Sequence, residues 1–224
     1  MSPSTLIAVS VIASLRLSFG VVVAQAEPAS LTLVWNFDRD QPGALPSQFS
    51  IGTLFDGRPA GDWQVIATDR AKSPPYVLAQ LMAKGAEHAY KVVLNQDVIA
   101  TDLDLEVSFL PMQGNADRGG GLIWRAADDR NYYVARANPL EQNIRVYRVV
   151  SGIRHLLQNF DQTITVKQWH TLRVTHQDCR VNIFYDNKQV FDLCDNTFRT
   201  GKIGLWTKSD AVTYFDNLRL QHMK

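Results

Sequence analysis

Apolar and polar residues alternate with a period of two through most of the chain. Leu103, Leu105, Val107 and Phe109 interleave with Asp102, Asp104, Glu106 and Ser108. That alternation predicts a strand with one face in a core and the other in water. Further strands are expected over 30–37, 63–66, 76–79, 90–94, 119–126, 131–137, 143–150, 154–157, 171–175, 202–207 and 213–220. Segment 38–50 holds Pro42-Gly43 and Pro46 and reads as a loop. No segment keeps apolar residues 3.6 apart over three turns. Strands recur roughly every 8 to 15 residues with turn signals between them, which predicts an all-β sandwich or barrel.

One hairpin can be read in register. Asp186-Asn187 separates 180–185 from 188–193, and both residues tolerate the positive φ of a two-residue turn. Pairing Tyr185 with Lys188 sets Cys179 opposite Cys194. These are the chain's two cysteines, and a disulfide is expected between them in an oxidising compartment.

The opening 26 residues explain why such a compartment is expected. Residues 6–13 and 17–24 are mostly apolar, and Ala24-Gln25-Ala26 offers small residues for cleavage before Glu27-Pro28. Arg16 interrupts the apolar run, which shortens it below a membrane span. The reading is a signal peptide over 1–26 and one domain over 27–224, secreted or periplasmic, with no stable membrane insertion once the leader is cleaved. Composition adds a boundary. The 224 residues are 46% hydrophobic, ample for a core, and 23 basic residues balance 22 acidic ones. No basic excess neutralises phosphates, so nucleic acid is an unexpected partner.

The sequence carries no G-x-S-x-G elbow, P-loop, H-E-x-x-H or paired C-x-x-C motif. Its five histidines are scattered and read as surface residues. Candidate chemistry concentrates in 119–147. There the polar phases of successive strands carry Arg125, Tyr132, Arg136, Asn138, Arg145 and Tyr147, with Trp206 at the margin. Planar guanidinium, amide and aromatic groups on one sheet suit a sugar, whose hydroxyls take bidentate hydrogen bonds and whose C–H faces stack on rings. Strand alternation predicts that these groups face one groove, with Glu106 entering it as the candidate acid/base. Near the chain ends, Asp38, Asp40 and Asp216 are candidate oxygen ligands for calcium.

These residues also carry a family likeness. Phe37-Asp38, Gly43-x-Leu45-Pro46, Gly120-Gly-Leu-Ile-Trp-Arg125, Asn131-Tyr-Tyr133 and Gly201-Lys-Ile-Gly-Leu-Trp-Thr-Lys208 resemble bacterial exported concanavalin A-like (laminin-G-like) domains. Trp169-His-Thr-Leu-Arg-Val174, followed by a hairpin and Gly201-Lys-Ile-Gly204, is similar to the 3-keto-disaccharide hydrolase domain family. The likeness covers nearly all of the chain after the leader. It implies a two-sheet antiparallel jelly roll of the concanavalin A-like type. It also implies a carbohydrate-directed role, either glycan binding or hydrolysis of a 3-keto-glycoside. The alternative is a laminin-G-like interaction domain that binds a protein at the cell envelope.

Overall fold

The computed structural model describes residues 31–223, so the expected leader over 1–26 lies outside the described residues. The strands are β1 (Thr32–Trp35), β2 (Phe49–Ile51), β3 (Trp63–Ala67), β4 (Tyr76–Gln80), β5 (Tyr90–Asn95), β6 (Leu103–Gln113), β7 (Gly120–Asp128), β8 (Asn131–Asn138), β9 (Asn143–Val150), β10 (Ile153–Asp161), β11 (His170–Gln177), β12 (Arg180–Tyr185), β13 (Lys188–Cys194), β14 (Lys202–Lys208) and β15 (Val212–His222). The described residues contain no helix. β2 overlaps the end of the segment 38–50 that the sequence presents as a loop, because three residues between Pro46 and Gly52 are too few to show a period.

The strands form two antiparallel sheets, as expected of a jelly roll. The eight-strand sheet runs β13-β12-β11-β6-β15-β4-β3, with β1 also on β15. The seven-strand sheet runs β10-β9-β8-β7-β14-β5-β2. The inner faces close on one core, with Leu103, Leu105, Val107 and Phe109 of β6 meeting Leu122 and Trp124 of β7 and Ile203 and Leu205 of β14. Each such side chain contributes roughly 1.5–3 kcal/mol by leaving water. Trp124 stacks on Tyr133 at 5.4 Å between ring centroids, which fixes the centre of the seven-strand sheet.

Three departures from ideal strand geometry place candidate groups. First, β1 and β4 share one edge of β15. β1 pairs with Leu218–Gln221 and β4 with Thr213–Phe215. Asp216 stands at the break, next to Asn217 with its positive φ of 51°. Second, β7 carries a bulge after Trp124, where Arg125 has φ 47°. Third, the β12–β13 hairpin keeps the Tyr185–Lys188 pairing, but a bulge beyond Ile183 shifts the register. Cys194 therefore pairs with Arg180, and the direct opposition with Cys179 is corrected to a diagonal one. The disulfide forms all the same, with Cα atoms 4.8 Å apart.

Candidate functional site on the seven-strand sheet

The outer face of the seven-strand sheet gathers most of the candidate residues. Register gives a row from Val92 through Trp206, Gly121, Arg136 and Arg145 to Asn159. A parallel row runs from Leu94 through Gly204, Ile123, Val134 and Tyr147 to Leu156. Asn138 and Asn143 pair one step farther on. Tyr132 sits on the same face at the opposite end, opposite Val149. Gly121 leaves this row open: a Cβ there would stand 3.2 Å from the Cβ of Arg136 and 3.0 Å from the carbonyl oxygen of Ala135.

One end of the face is polar. The Arg136 guanidinium donates to Asn143 Oδ1 at 2.6 Å and to Glu141 Oε2 at 2.8 Å, while Arg145 reaches the same carboxylate oxygen at 2.9 Å. Asn138 Oδ1 accepts from the Leu140 amide and so shapes the β8–β9 turn. Arg136 and Asn138 are buried, whereas the Arg145 and Glu141 side chains are 32% and 38% exposed. The first pair therefore supports the network, and the second pair fronts solvent. Burial pushes the Glu141 carboxyl up, but Arg136 and Arg145 reverse this and leave it below its ordinary value. Asp117 lies 3.5 Å from Lys208 at this end. Burial raises it to about 6 against the pull of Lys208 and Arg136, with Glu141 adding to the rise.

The other end is aromatic. Tyr90 and Trp206 stand 5.7 Å apart, and Arg154 of β10 lays its guanidinium over Tyr90, Tyr147 and Trp206 at 4.9, 4.8 and 5.9 Å. A cavity of about 500 Å³ opens here, lined by Phe55, His88, Tyr90, Tyr147, Arg154 and Leu156 among others. A second, of about 350 Å³, adjoins it around Phe55 and His88, with Lys91 in its wall. Burial lowers the Lys91 ammonium to about 8, and its amine donates to the Met82 carbonyl. Beneath the rings, the buried Tyr132 hydroxyl and the Trp206 indole N–H have one another as neighbours and, among the described residues, no other hydrogen-bond partner. Arg154 and Tyr90 went unnoticed at the sequence level. Their signal was an aromatic and an arginine at the starts of two short strands, with nothing local to join them.

Two candidates belong elsewhere. Strict alternation puts Arg125 beside Ile123 on the outer face, but the β7 bulge turns it inward. It is buried, donating to the carbonyls of Thr101, Asp178 and Phe198 and to Asp102 Oδ1. Its Nη1 is also 2.8 Å from His176 Nε2. Glu106 lies on β6 in the other sheet, 3.8 Å from Arg219 and paired in register with Arg173. It does not enter the groove. The surface reading of the histidines is corrected for two of them, since His170 and His176 are buried. His176 accepts a 2.9 Å hydrogen bond from the Trp124 indole, and burial together with Arg125 lowers its pKa to about 4.

The three aspartates divide. The break along β15 brings Asp38, just past β1, to the turn that precedes β4. There Asp38 Oδ1 accepts from the Tyr76 amide at 3.3 Å, and Asp216 Oδ2 from the Ser73 amide at 2.7 Å. Burial raises the Asp216 carboxyl to about 6 despite the Ser73 amide, and Asp38 adds to the rise. The remaining carboxylate oxygens also accept hydrogen bonds, Asp38 Oδ2 from Asn36 Nδ2 and the Ser73 hydroxyl, and Asp216 Oδ1 from the Asn217 amide. Asp40 does not complete a trio: among the described residues, no three acidic, histidine or cysteine side chains converge on a metal position.

No family model matches the chain. A levanase of Bacillus subtilis (strain 168) is 25% identical over 121 residues, which is 53% of this chain and 17% of that protein. The chain thus spans under a fifth of the curated relative. Among solved structures, the carbohydrate-binding module CBM66 from Bacillus subtilis superposes with a TM-score of 0.63 at 19% identity, covering 78% of this chain and 95% of the module. A Bacillus subtilis protein of unknown function with a galectin-like fold gives 0.52 at 10% identity, covering 72% and 89%. These structural likenesses establish the jelly-roll fold.

Proposed function

We propose that this protein is an exported, carbohydrate-directed sandwich that binds a glycan on the outer face of its seven-strand sheet. The observation that carries the reading is that Arg145 and Glu141 share one sheet face with an aromatic-lined cavity. Hydrogen-bonding forks beside ring edges and faces match the alternation of hydroxyls and C–H patches on a sugar. The likeness to a carbohydrate-binding module and to a segment of a levanase supports it. The disulfide supports an oxidising compartment. A glycan array with the protein expressed from residue 27 tests it. Arg145→Ala should weaken the best ligand by about 1–3 kcal/mol, the loss of a charge-assisted hydrogen bond, with the melting temperature retained. An array without a hit, alongside capture of an envelope protein, would favour the laminin-G-like alternative.

A second reading, hydrolysis, moves from Glu106 to another pair. Asp117 is raised to about 6 and Glu141 is lowered on the same face, and environments that push two carboxyls apart suit an acid and a base. Asp117→Asn should then abolish release of sugar from 3-keto-glycosides while binding persists. Wild-type protein that releases none removes this reading. Calcium held by Asp38 and Asp216 would be a structural ion tying the segment after β1 to β15. Chelation should lower the melting temperature and added calcium restore it, and an unchanged melting curve would dismiss the ion.

A further inference from the structure

Arg154 differs from the arginines that are paired with acids. Arg125 pairs with Asp102, Arg136 and Arg145 with Glu141, Arg148 with Asp195, and Arg173 with Asp104. Arg154 has only the faces of Tyr90, Tyr147 and Trp206. Among the described residues, no carboxylate lies within the 4.0 Å of an ion pair with it. A guanidinium carries a delocalised positive charge, and ring faces offset that charge without accepting its N–H groups in plane. Its fork of donors is therefore left to solvent, at the wall of a cavity of about 500 Å³.

The rest of that cavity is apolar or aromatic. Phe55, Ile153 and Leu156 are 64%, 63% and 55% exposed around it, which is unusual for side chains of their size. Arg154 is the one permanently charged side chain in the wall, and His88 the one other titratable group besides the tyrosines. A neutral ligand seated here would strip water from an unpaired cation, which is unfavourable. A carboxylate would replace that water with two parallel charge-assisted hydrogen bonds.

We propose that Arg154 is the anion-reading residue of this face, and that the glycan it binds carries a carboxylate, as in a uronic or other sugar acid. The carboxylate pairs with the Arg154 fork, and the C–H side of the same sugar packs on Phe55, Ile153 and Leu156. This rests on the glycan reading above and adds the class of sugar.

The test uses uronate-containing oligosaccharides, each as the free acid and as its carboxyl-reduced counterpart, titrated by calorimetry into the full chain after residue 26. The free acid should bind about tenfold or more tightly, the difference one charge-assisted pair makes. Arg154→Gln should erase that preference, and Arg154→Lys should keep part of it, since the charge remains but the fork does not. Arg154 lies on the edge strand β10, so both variants should melt near the wild type, and a thermal scan checks this. Equal affinity for an acid and its reduced form, or a preference untouched in Arg154→Gln, would overturn the inference and leave the glycan reading standing. Binding to no glycan of either kind would remove that reading and the inference with it.

Discussion

Arg125 and Arg136 sit on adjacent strands among similar neighbours, and one residue of backbone decides what each does. A positive φ at the β7 bulge sends Arg125 into the interior, where three carbonyls and Asp102 surround it. Arg125→Leu should therefore lower stability by about 3 kcal/mol, because it leaves three carbonyls without their donor and takes one of two donors from Asp102, which keeps the Asp178 amide. Denaturant titration reads this out, and a loss below 1 kcal/mol would contradict the buried knot. His176 leads to a pH prediction. Its folded pKa of about 4 lies below the ordinary histidine value. The unfolded chain therefore takes up the proton first, and the contribution is present above about pH 6.5 and lost as pH falls toward 4. Asp117 and Asp216, raised to about 6, act in the opposite sense, favouring the folded state as pH falls through 6. The comparison that isolates the imidazole is wild type against His176→Gln. The stability gap between them should narrow on acidification, by up to roughly 3 kcal/mol; a constant gap would refute the assignment.

At the level of elements, the β12–β13 hairpin forms the edge of the eight-strand sheet and is held by the Cys179–Cys194 disulfide. The sequence separation is 15 residues, for which loop-closure entropy predicts about 3 kcal/mol. Cys194→Ser should lose that amount and speed amide exchange in β12 and β13 before the central strands. Uniform acceleration across both sheets would instead mean the hairpin does not open separately. Hairpin pairing was legible in the sequence because turn chemistry fixes it locally. The bulge beyond Ile183 was not, since an extra residue in a strand leaves no mark on a period-two pattern. The same applies to Arg125. β2 escaped notice because a three-residue strand is defined by its partner, β5, rather than by its own composition.

At the scale of the whole molecule, the two sheets assign different tasks to similar outer faces. The eight-strand sheet carries Asp104, Glu106, Arg173 and Arg219 as interlinked ion pairs, with Asp104 buried at the hub and the other three half-buried. Glu106→Gln should accordingly leave glycan affinity unchanged, as measured by the same titrations that detect Arg145→Ala. Any loss comparable to the Arg145 effect would place the site on the wrong sheet. The seven-strand sheet differs because Trp206, Tyr147, Tyr90 and Arg154 come together on its outer face, although the chain separates them by up to 116 positions (206 − 90).

The sequence by itself determined the all-β class, nearly every strand, the turn of the β12–β13 hairpin and the face on which Arg136, Asn138, Arg145, Tyr147 and Trp206 stand. Each of these follows from alternation or turn chemistry, which act between near neighbours. Only the tertiary structure decided that Arg125 is interior, that Glu106 belongs to the opposite sheet, that Asp216 meets Asp38 but not Asp40 in a cluster, and that Arg154 has no acidic partner among the described residues. Those facts depend on strand order and bulges, which are set by how two sheets close on a shared core. A periodic pattern states which side of a strand a residue takes, and packing alone states what lies across from it.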